Sequence, residues 1–347
     1  MFPRLLLLSL FVLATASANK SCTASEQQQA LLGMYSAHFG GPNWHNRDGW
    51  LDTSVECMLE GSPFPAHCCW HGIKCCLSST CLIGNLSIPP DQCGCEPGLV
   101  WEINQKSNNL VGNFTSFKHR PFACSLHKLV LSDNYLSGVI SQDVEAYKQL
   151  SSMDLQSNKL QGNLPEGLGQ LSSLRHLHLS SNLLEGAVPA SICGNARKLT
   201  SLAIDDNQLS GPLDLSWCRQ LTYISAKGNR FLESGTPEKA LPGLRSAFFD
   251  DNSLRGALPD DLFASALPHL EEMGFSGNLL SGRLPDMSMY SLKKVVLGDN
   301  RFVGAIPDSW SRMAHPYTLV RLDTNYLSCC GTEPLLVILF FLILTYF

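Results

Sequence analysis

The sequence predicts an α/β repeat solenoid, a curved stack of short coils with a parallel β-sheet along its concave side, and three observations predict it. Asparagine recurs at Asn108, Asn134, Asn158, Asn182, Asn207, Asn229, Asn252, Asn278, Asn300 and Asn325, at intervals of 22 to 26 residues. Apolar residues lead up to nearly every one at fixed offsets: Leu150, Met153 and Leu155 precede Asn158, and Leu174, Leu177 and Leu179 precede Asn182. Most units continue with Leu-x-Gly and then an aliphatic residue and proline, as in Leu160-Gln161-Gly162-Asn163-Leu164-Pro165. A motif repeating at this period marks units that bury their apolar faces only by stacking on their neighbours.

The sentence LxxLxLxxNxL has a physical reading at each place. Two leucines at alternate positions leave a short strand on one side and enter the core, while the residue between them points out. The asparagine falls where the chain turns inward, and its amide can pair backbone groups that would otherwise be buried alone. Stacked asparagines therefore form a ladder along the solenoid. Glycine permits the next turn, and proline ends hydrogen bonding before the convex segment. These ten units resemble the plant-type extracellular leucine-rich repeats of receptor-like proteins and polygalacturonase-inhibiting proteins, over residues 100–327. The resemblance implies a right-handed leucine-rich-repeat horseshoe or superhelix with a concave parallel sheet, opened by a helical, disulfide-bearing N-terminal cap.

In chain order, residues 1–18 read as a signal peptide: a basic start ending at Arg4, an apolar run over 5–13, and Ala16-Ser17-Ala18 for cleavage before Asn19. Residues 19–98 read as the cap. Ten of the fourteen cysteines fall between Cys22 and Cys124, which with a leader points to an oxidising compartment. Cys68-Cys69 and Cys93-Gly-Cys95 lack the paired C-x2-C spacing of a zinc site. Ala30, Leu31, Met34, Ala37 and Phe39 make a helix-compatible apolar stripe. Gly40-Gly41-Pro42-Asn43-Trp44, Trp50-Leu51 and Cys68-Cys69-Trp70-His71-Gly72-Ile73-Lys74-Cys75 follow it. This is similar to the caps that open plant-type repeat domains, and the similarity implies a Cys69–Cys75 bridge and a bridge from Cys68 to an upstream cysteine such as Cys22. Spacing alone leaves the connectivity open.

Residues 99–328 read as the solenoid, and two of its units depart from the pattern. Gln105 stands where an inward leucine is expected, which predicts a transition next to the cap. The unit of Asn229 has Ala226 inside and no glycine two residues after Phe231, which predicts a local change of curvature or a bulged convex loop. Cys193 and Cys218 each lie 11 residues after their own ladder asparagine. Coils stacked at about 5 Å place such a pair within disulfide reach on the convex side. Asn85-Leu86-Ser87 and Asn113-Phe114-Thr115 are expected glycosylation sites, and Asn19-Lys20-Ser21 is one formally. Residues 329–347 read as a short linker and a hydrophobic tail. The fourteen residues of 334–347 are fewer than the about 20 that an untilted span needs, and no basic residue follows them. A lipid-anchor signal, a truncated membrane segment and a strand closing the solenoid all stay open.

The chain has 347 residues, 44% of them apolar, and a formal charge of −5, a balance that disfavours nucleic acid as a partner. The outward strand positions bring Arg175, His176, His178, Tyr223, Arg245 and Phe248 to the middle of the concave face. Aromatic and arginine side chains are the usual anchors of recognition. His176 and His178 share a face with Asp154 and Asp205, but only two imidazoles converge, so neither a metal nor another cofactor is expected. Asp205, Asp206, Asp250 and Asp251 line the rim, where acids ordinarily cap turns. The chain has no Gly-x-Ser-x-Gly elbow, phosphate loop or kinase signature, and an open sheet does not exclude water. The expectation is a non-catalytic recognition module at the cell surface, receptor-like or adhesive, binding a protein, peptide or glycan. Its tail would anchor it in the membrane, and a partner receptor kinase would transmit any signal. The resemblance also allows an alternative, a soluble inhibitor of a secreted wall-degrading hydrolase.

Overall fold

The computed structural model describes residues 23–48, 50, 57–59, 62–76, 81–83, 86–88, 98–117, 120–194, 198–213, 215, 218–232, 241–259, 267–286, 292–312 and 319–328. Residues 1–18, read above as a signal peptide, and Asn19, Cys22, Asn85, Cys93, Cys95 and the segment from residue 329 lie outside these residues.

Each unit contributes one short strand to an eleven-stranded concave sheet that runs from Ile73–Cys75 in the cap through Val100–Asn104 to Leu319–Arg321. The repeat strands are parallel and in register. Ser152 lies opposite His176, His176 opposite Ser201, Ser201 opposite Tyr223, and Tyr223 opposite Ser246. The central residue of each strand points inward: Leu129, Met153, Leu177, Leu202, Ile224, Ala247, Met273 and Val295 are almost fully buried. Together with Leu131, Leu155, Leu179, Ile204, Leu297 and their counterparts they form one continuous core along the solenoid. Burial of this kind stabilises by roughly 25 cal/mol per Å² of apolar surface.

After each strand the chain turns through a residue in the left-handed region. Ser107, Asp133, Ser157, Ser181, Asp206, Gly228, Asp251, Gly277, Asp299 and Thr324 all have φ between 50° and 64°, and each directly precedes a ladder asparagine. Serine, aspartate and glycine are common here because short polar side chains, or none, make this conformation less costly. The Leu-x-Gly segments that follow form further parallel strands on the flank. One flank sheet has six strands, from Val111–Asn113 to Arg230–Phe231, and another has four, from Arg255–Gly256 to Tyr326–Leu327. The break falls at the unit of Asn229, which lacks the glycine. In seven other units that glycine sits at φ between 75° and 94°, where a side chain carrying Cβ is strained. The concave sheet continues through this unit unbroken.

The cap begins with a helix, Ala24–Gly33, started by a reciprocal capping box between Thr23 and Glu26, and continues as a five-residue π turn, Met34–His38. Gln27 is fully buried on this helix. Its amide donates to the Pro121 carbonyl at 2.8 Å and to Ser125 Oγ at 2.9 Å, and it accepts from the Val100 N–H at 2.7 Å. Tyr35, Trp44, Trp50 and Trp70 pack ring against ring at 4.8 to 5.7 Å and close the end of the core. The strand Ile73–Cys75 then pairs antiparallel with Val100–Asn104, so the cap joins the concave sheet through backbone hydrogen bonds as well as apolar contact.

Candidate functional site

The ladder fixes the geometry of the face. Asn158 donates from Nδ2 to the carbonyls of Leu131, Leu155 and Gln156 at 2.9 to 3.2 Å, and its Oδ1 accepts from the Leu136 N–H at 2.9 Å. Asn134, Asn182, Asn207, Asn229, Asn252, Asn278, Asn300 and Asn325 repeat the arrangement, each tying its own turn to the preceding coil. Asn108 has no preceding coil, so it binds the cap: Nδ2 donates to the Asn46 carbonyl at 2.8 Å and Oδ1 accepts from the Asn46 N–H at 2.6 Å. Gln105 sits beside it, buried, accepting from Asn108 Nδ2 at 2.6 Å and donating to the His71 carbonyl at 2.6 Å. The missing leucine of the first unit is therefore a polar coupling between cap and solenoid.

On the concave face itself, Arg175 and His176 are exposed and His178 is half-buried. The two imidazole rings lie 6.3 Å apart, and the His178 Nε2 is 3.0 Å from Ser201 Oγ. Partial burial holds His176 below the usual histidine range, and the neighbouring His178 and Arg175 push the same way. Tyr223 lies one rung beyond Ser201 and is exposed, its ring 6.1 Å from that of Phe248. Asp154 hydrogen-bonds Ser132 and Asp205 faces Ser180, Ser225 and the Lys227 N–H, so neither carboxylate joins the two histidines. The rim acids are occupied in turns. Asp250 accepts from the Ser276 N–H at 3.0 Å and lies 3.3 Å from Lys227 Nζ.

Two of the expected anchors are committed elsewhere. Phe248 is only 7% exposed. Its register neighbours Ser225 and Gly274 are small, so its ring settles into the sheet while Lys227 Nζ and Lys294 Nζ cover it at 4.5 and 5.4 Å. Arg245 is paired with Glu271, which also binds Lys293 at 2.5 Å. Pattern reading could place these side chains on the face but not foresee what neighbouring rungs lay over them.

A family model described as leucine rich repeat matches residues 124–184. The stacked coils are a leucine-rich-repeat solenoid. Its repeats are similar to plant ones: over 63% of this chain it is 28% identical to a plant peptide hormone receptor, RGFR1, solved with RGF2, at a TM-score of 0.57. The match covers 35% of that receptor chain. The ectodomain of the Arabidopsis receptor kinase HAESA, solved with an N-terminally extended IDA peptide hormone, matches 88% of this chain and 49% of its own, at 24% identity and TM-score 0.57. A leucine-rich-repeat protein of Leptospira interrogans matches 60% of this chain and 51% of its own, at 25% identity and TM-score 0.52. The leucine-rich-repeat chain thus spans about a third to a half of the length of these structures. No curated protein matches it.

The cap of this leucine-rich-repeat solenoid corrects one expectation. Cys75 is bridged to Cys68, not to Cys69, with Cα atoms 5.4 Å apart, so Cys68 is not free for Cys22. In the tight turn Ala66–Cys69, with three residues per turn, adjacent side chains point about 120° apart. Cys68 is the one turned inward toward the strand Ile73–Cys75, while Cys69 is exposed and is bridged elsewhere. The ring of His67 lies with the sulfurs of Cys68 and Cys75 inside 4.8 Å. Those sulfurs are bonded to each other, and a disulfide lacks the thiolates a metal would need. His67 is fully buried, and burial pulls it down to about 4, outweighing the opposing influence of the nearby Gly98 backbone. On the convex side Cys193 and Cys218 are bridged between adjacent coils, Cα atoms 4.6 Å apart.

Sequence reasoning also missed a charged cluster at the cap junction. Glu102, almost fully buried, lies 2.7 Å from Lys74 of the cap strand and 3.3 Å from Lys128 of the next repeat. Burial alone would raise its pKa, but the two ammonium groups outweigh it and hold Glu102 below the ordinary carboxylate value. The only available signal was a glutamate between lysines in successive units. It could not be used without knowing that the cap strand pairs with the first repeat.

Proposed function

We propose that this protein is a secreted, non-catalytic recognition module that binds an extended segment of a peptide or protein across its concave sheet, in a receptor-like role. One observation carries the reading. Among the described residues Arg175 and Tyr223, two rungs apart on the concave sheet, are exposed with no ion pair or hydrogen bond of their side chains, beside His176 and His178. The neighbouring charges Glu271, Arg245, Lys227 and Asp250 are already paired. Uncommitted arginine and aromatic side chains on a preformed surface bind with little reorganisation. The peptide-hormone complexes of RGFR1 and HAESA support the same reading. The disulfides support secretion, because such bridges persist in oxidising compartments.

We further infer that residues 1–18 direct export and that the tail from residue 329 attaches the protein to the cell surface, where a partner kinase would carry the signal. No helix of the described residues is long and apolar enough to cross a membrane. Nothing in the concave geometry favours inhibition of a wall-degrading hydrolase over ligand capture. The test is an unbiased capture from extracellular fluid with the mature protein, run beside Arg175→Glu and Tyr223→Asp. Loss of the captured ligand with each variant supports the concave centre. Retention of the same ligand by both variants moves the site off it.

A further inference from the structure

Among the described asparagines Asn113 is unlike those of the ladder. Ladder amides are buried or half-buried and donate to two or three carbonyls each, which leaves no free proton for modification. Asn113 stands at the end of the first flank strand, exposed. Its Oδ1 accepts from the Thr115 N–H at 2.9 Å, and a Cβ added at Gly138 would meet that oxygen at 1.9 Å. The carbonyl side of the amide is thus held against the protein. Nδ2 has no hydrogen-bond partner among the described residues. Asn113-Phe114-Thr115 is an acceptor sequon, with Phe114 fully buried beneath it.

The same outward face carries an apolar patch. Val111 and Tyr135 are each 51% exposed and face each other across the flank strands, with Lys159 Nζ 5.4 Å from the Tyr135 ring, while Asn113 faces Ser137 two pairs further along on the same face. Strands about 4.8 Å apart, rising about 3.3 Å per residue, put Asn113 about 8 Å from Tyr135. That is within the width of the first two sugars of an N-linked chain. We propose that Asn113 carries an N-linked glycan whose inner sugars lie over Val111 and Tyr135, making this flank a sugar-covered side and leaving the concave face open. The bond joins Nδ2 to C1 of N-acetylglucosamine, supplied by a polyprenyl-diphosphate-linked oligosaccharide. Nδ2 gives up a proton and the polyprenyl diphosphate leaves. An aromatic ring and an exposed valine give the apolar faces of sugar rings a surface to pack on.

The proposal rests on secretion, and the test separates the two. The full chain is expressed in a eukaryotic secretory host behind its own leader and, in parallel, behind an unrelated leader, and peptides are analysed by mass spectrometry after enzymatic deglycosylation in heavy-oxygen water. The expected result is heavy aspartate at position 113 in both, lost in Asn113→Gln and Thr115→Ala and kept in Thr115→Ser. Label with only the unrelated leader overturns secretion by residues 1–18 and leaves the site standing. An unmodified position 113 from both leaders overturns the site. Stripping the folded glycoprotein should raise binding of a hydrophobic dye about twofold or more, and Tyr135→Ser should abolish the rise. Equal dye binding before and after stripping overturns the covering role.

Discussion

The first and the last described coils of the solenoid differ in what the described residues place over them. At the N-terminal end the first coil is covered by a helix, four packed aromatic rings and an antiparallel strand, and its ladder asparagine finds partners in the cap. At the other end Val320, Leu322 and Leu327 are only partly buried, and Leu319 and Tyr326 are exposed, Tyr326 at 71%. No described residue lies over them. The comparison teaches that a stacked repeat draws its stability from both neighbours, so the same residue type should matter least in the last described coil.

The contrast can be broken or sharpened by substitution, read out segment by segment as hydrogen-exchange protection because repeat arrays need not unfold in one step. Trp50→Ala in the cap should cost the most, about 3 to 5 kcal/mol, by opening a cavity among four aromatic rings. An effect of that size from Leu327→Ala would break the comparison. Asn158→Ala should cost about 2 to 3 kcal/mol, since it strands buried carbonyls and the Leu136 N–H, whereas Asn325→Ala should cost about 1 kcal/mol or less because its own turn is partly open to water.

Acid should loosen the cap end selectively. His67 is held near 4 in the fold and titrates near 6.5 when unfolded. Between those values the unfolded chain binds the extra proton and stability falls with falling pH, by up to about 3 kcal/mol. Glu102, depressed in the fold, contributes stability above its ordinary value of 4.5 that is lost as pH falls through its lower folded value. His67→Phe should therefore flatten the upper part of the acid transition of residues 62–76 and leave the lower part. An unchanged transition there would count against the buried neutral imidazole. Tyr326→Ala should have the smallest effect, within about 0.5 kcal/mol, as for exposed sites generally.

The repeat was legible because each of its requirements is local and recurs. The leucine at the strand centre, the asparagine after the turn and the glycine on the flank each answer a constraint set within one coil. The Cys193–Cys218 bridge was legible for the same reason, since two positions of equal phase in adjacent coils are neighbours. The candidate face was legible only in outline. Arg175, His176, His178 and Tyr223 stand where alternation put them, yet Phe248 is covered by Lys227 and Lys294 and Arg245 is paired with Glu271, all on other rungs. In the cap no periodicity was available. The choice of Cys68 over Cys69 turns on the phase of one tight turn, and Glu102 on a strand pairing that spacing does not encode.

The sequence by itself determined that this chain stacks coils about one core, which residue of each strand enters that core, and where the ladder runs. Periodic burial and the need to pair backbone groups leave few other arrangements. Only the tertiary structure decided which outward side chains are free, how the cap locks onto the first coil through Gln105, Asn108 and Glu102, and where the flank sheet breaks. Those outcomes depend on contacts between residues far apart in sequence, whose energies are set by what the neighbouring coil places within a few ångströms.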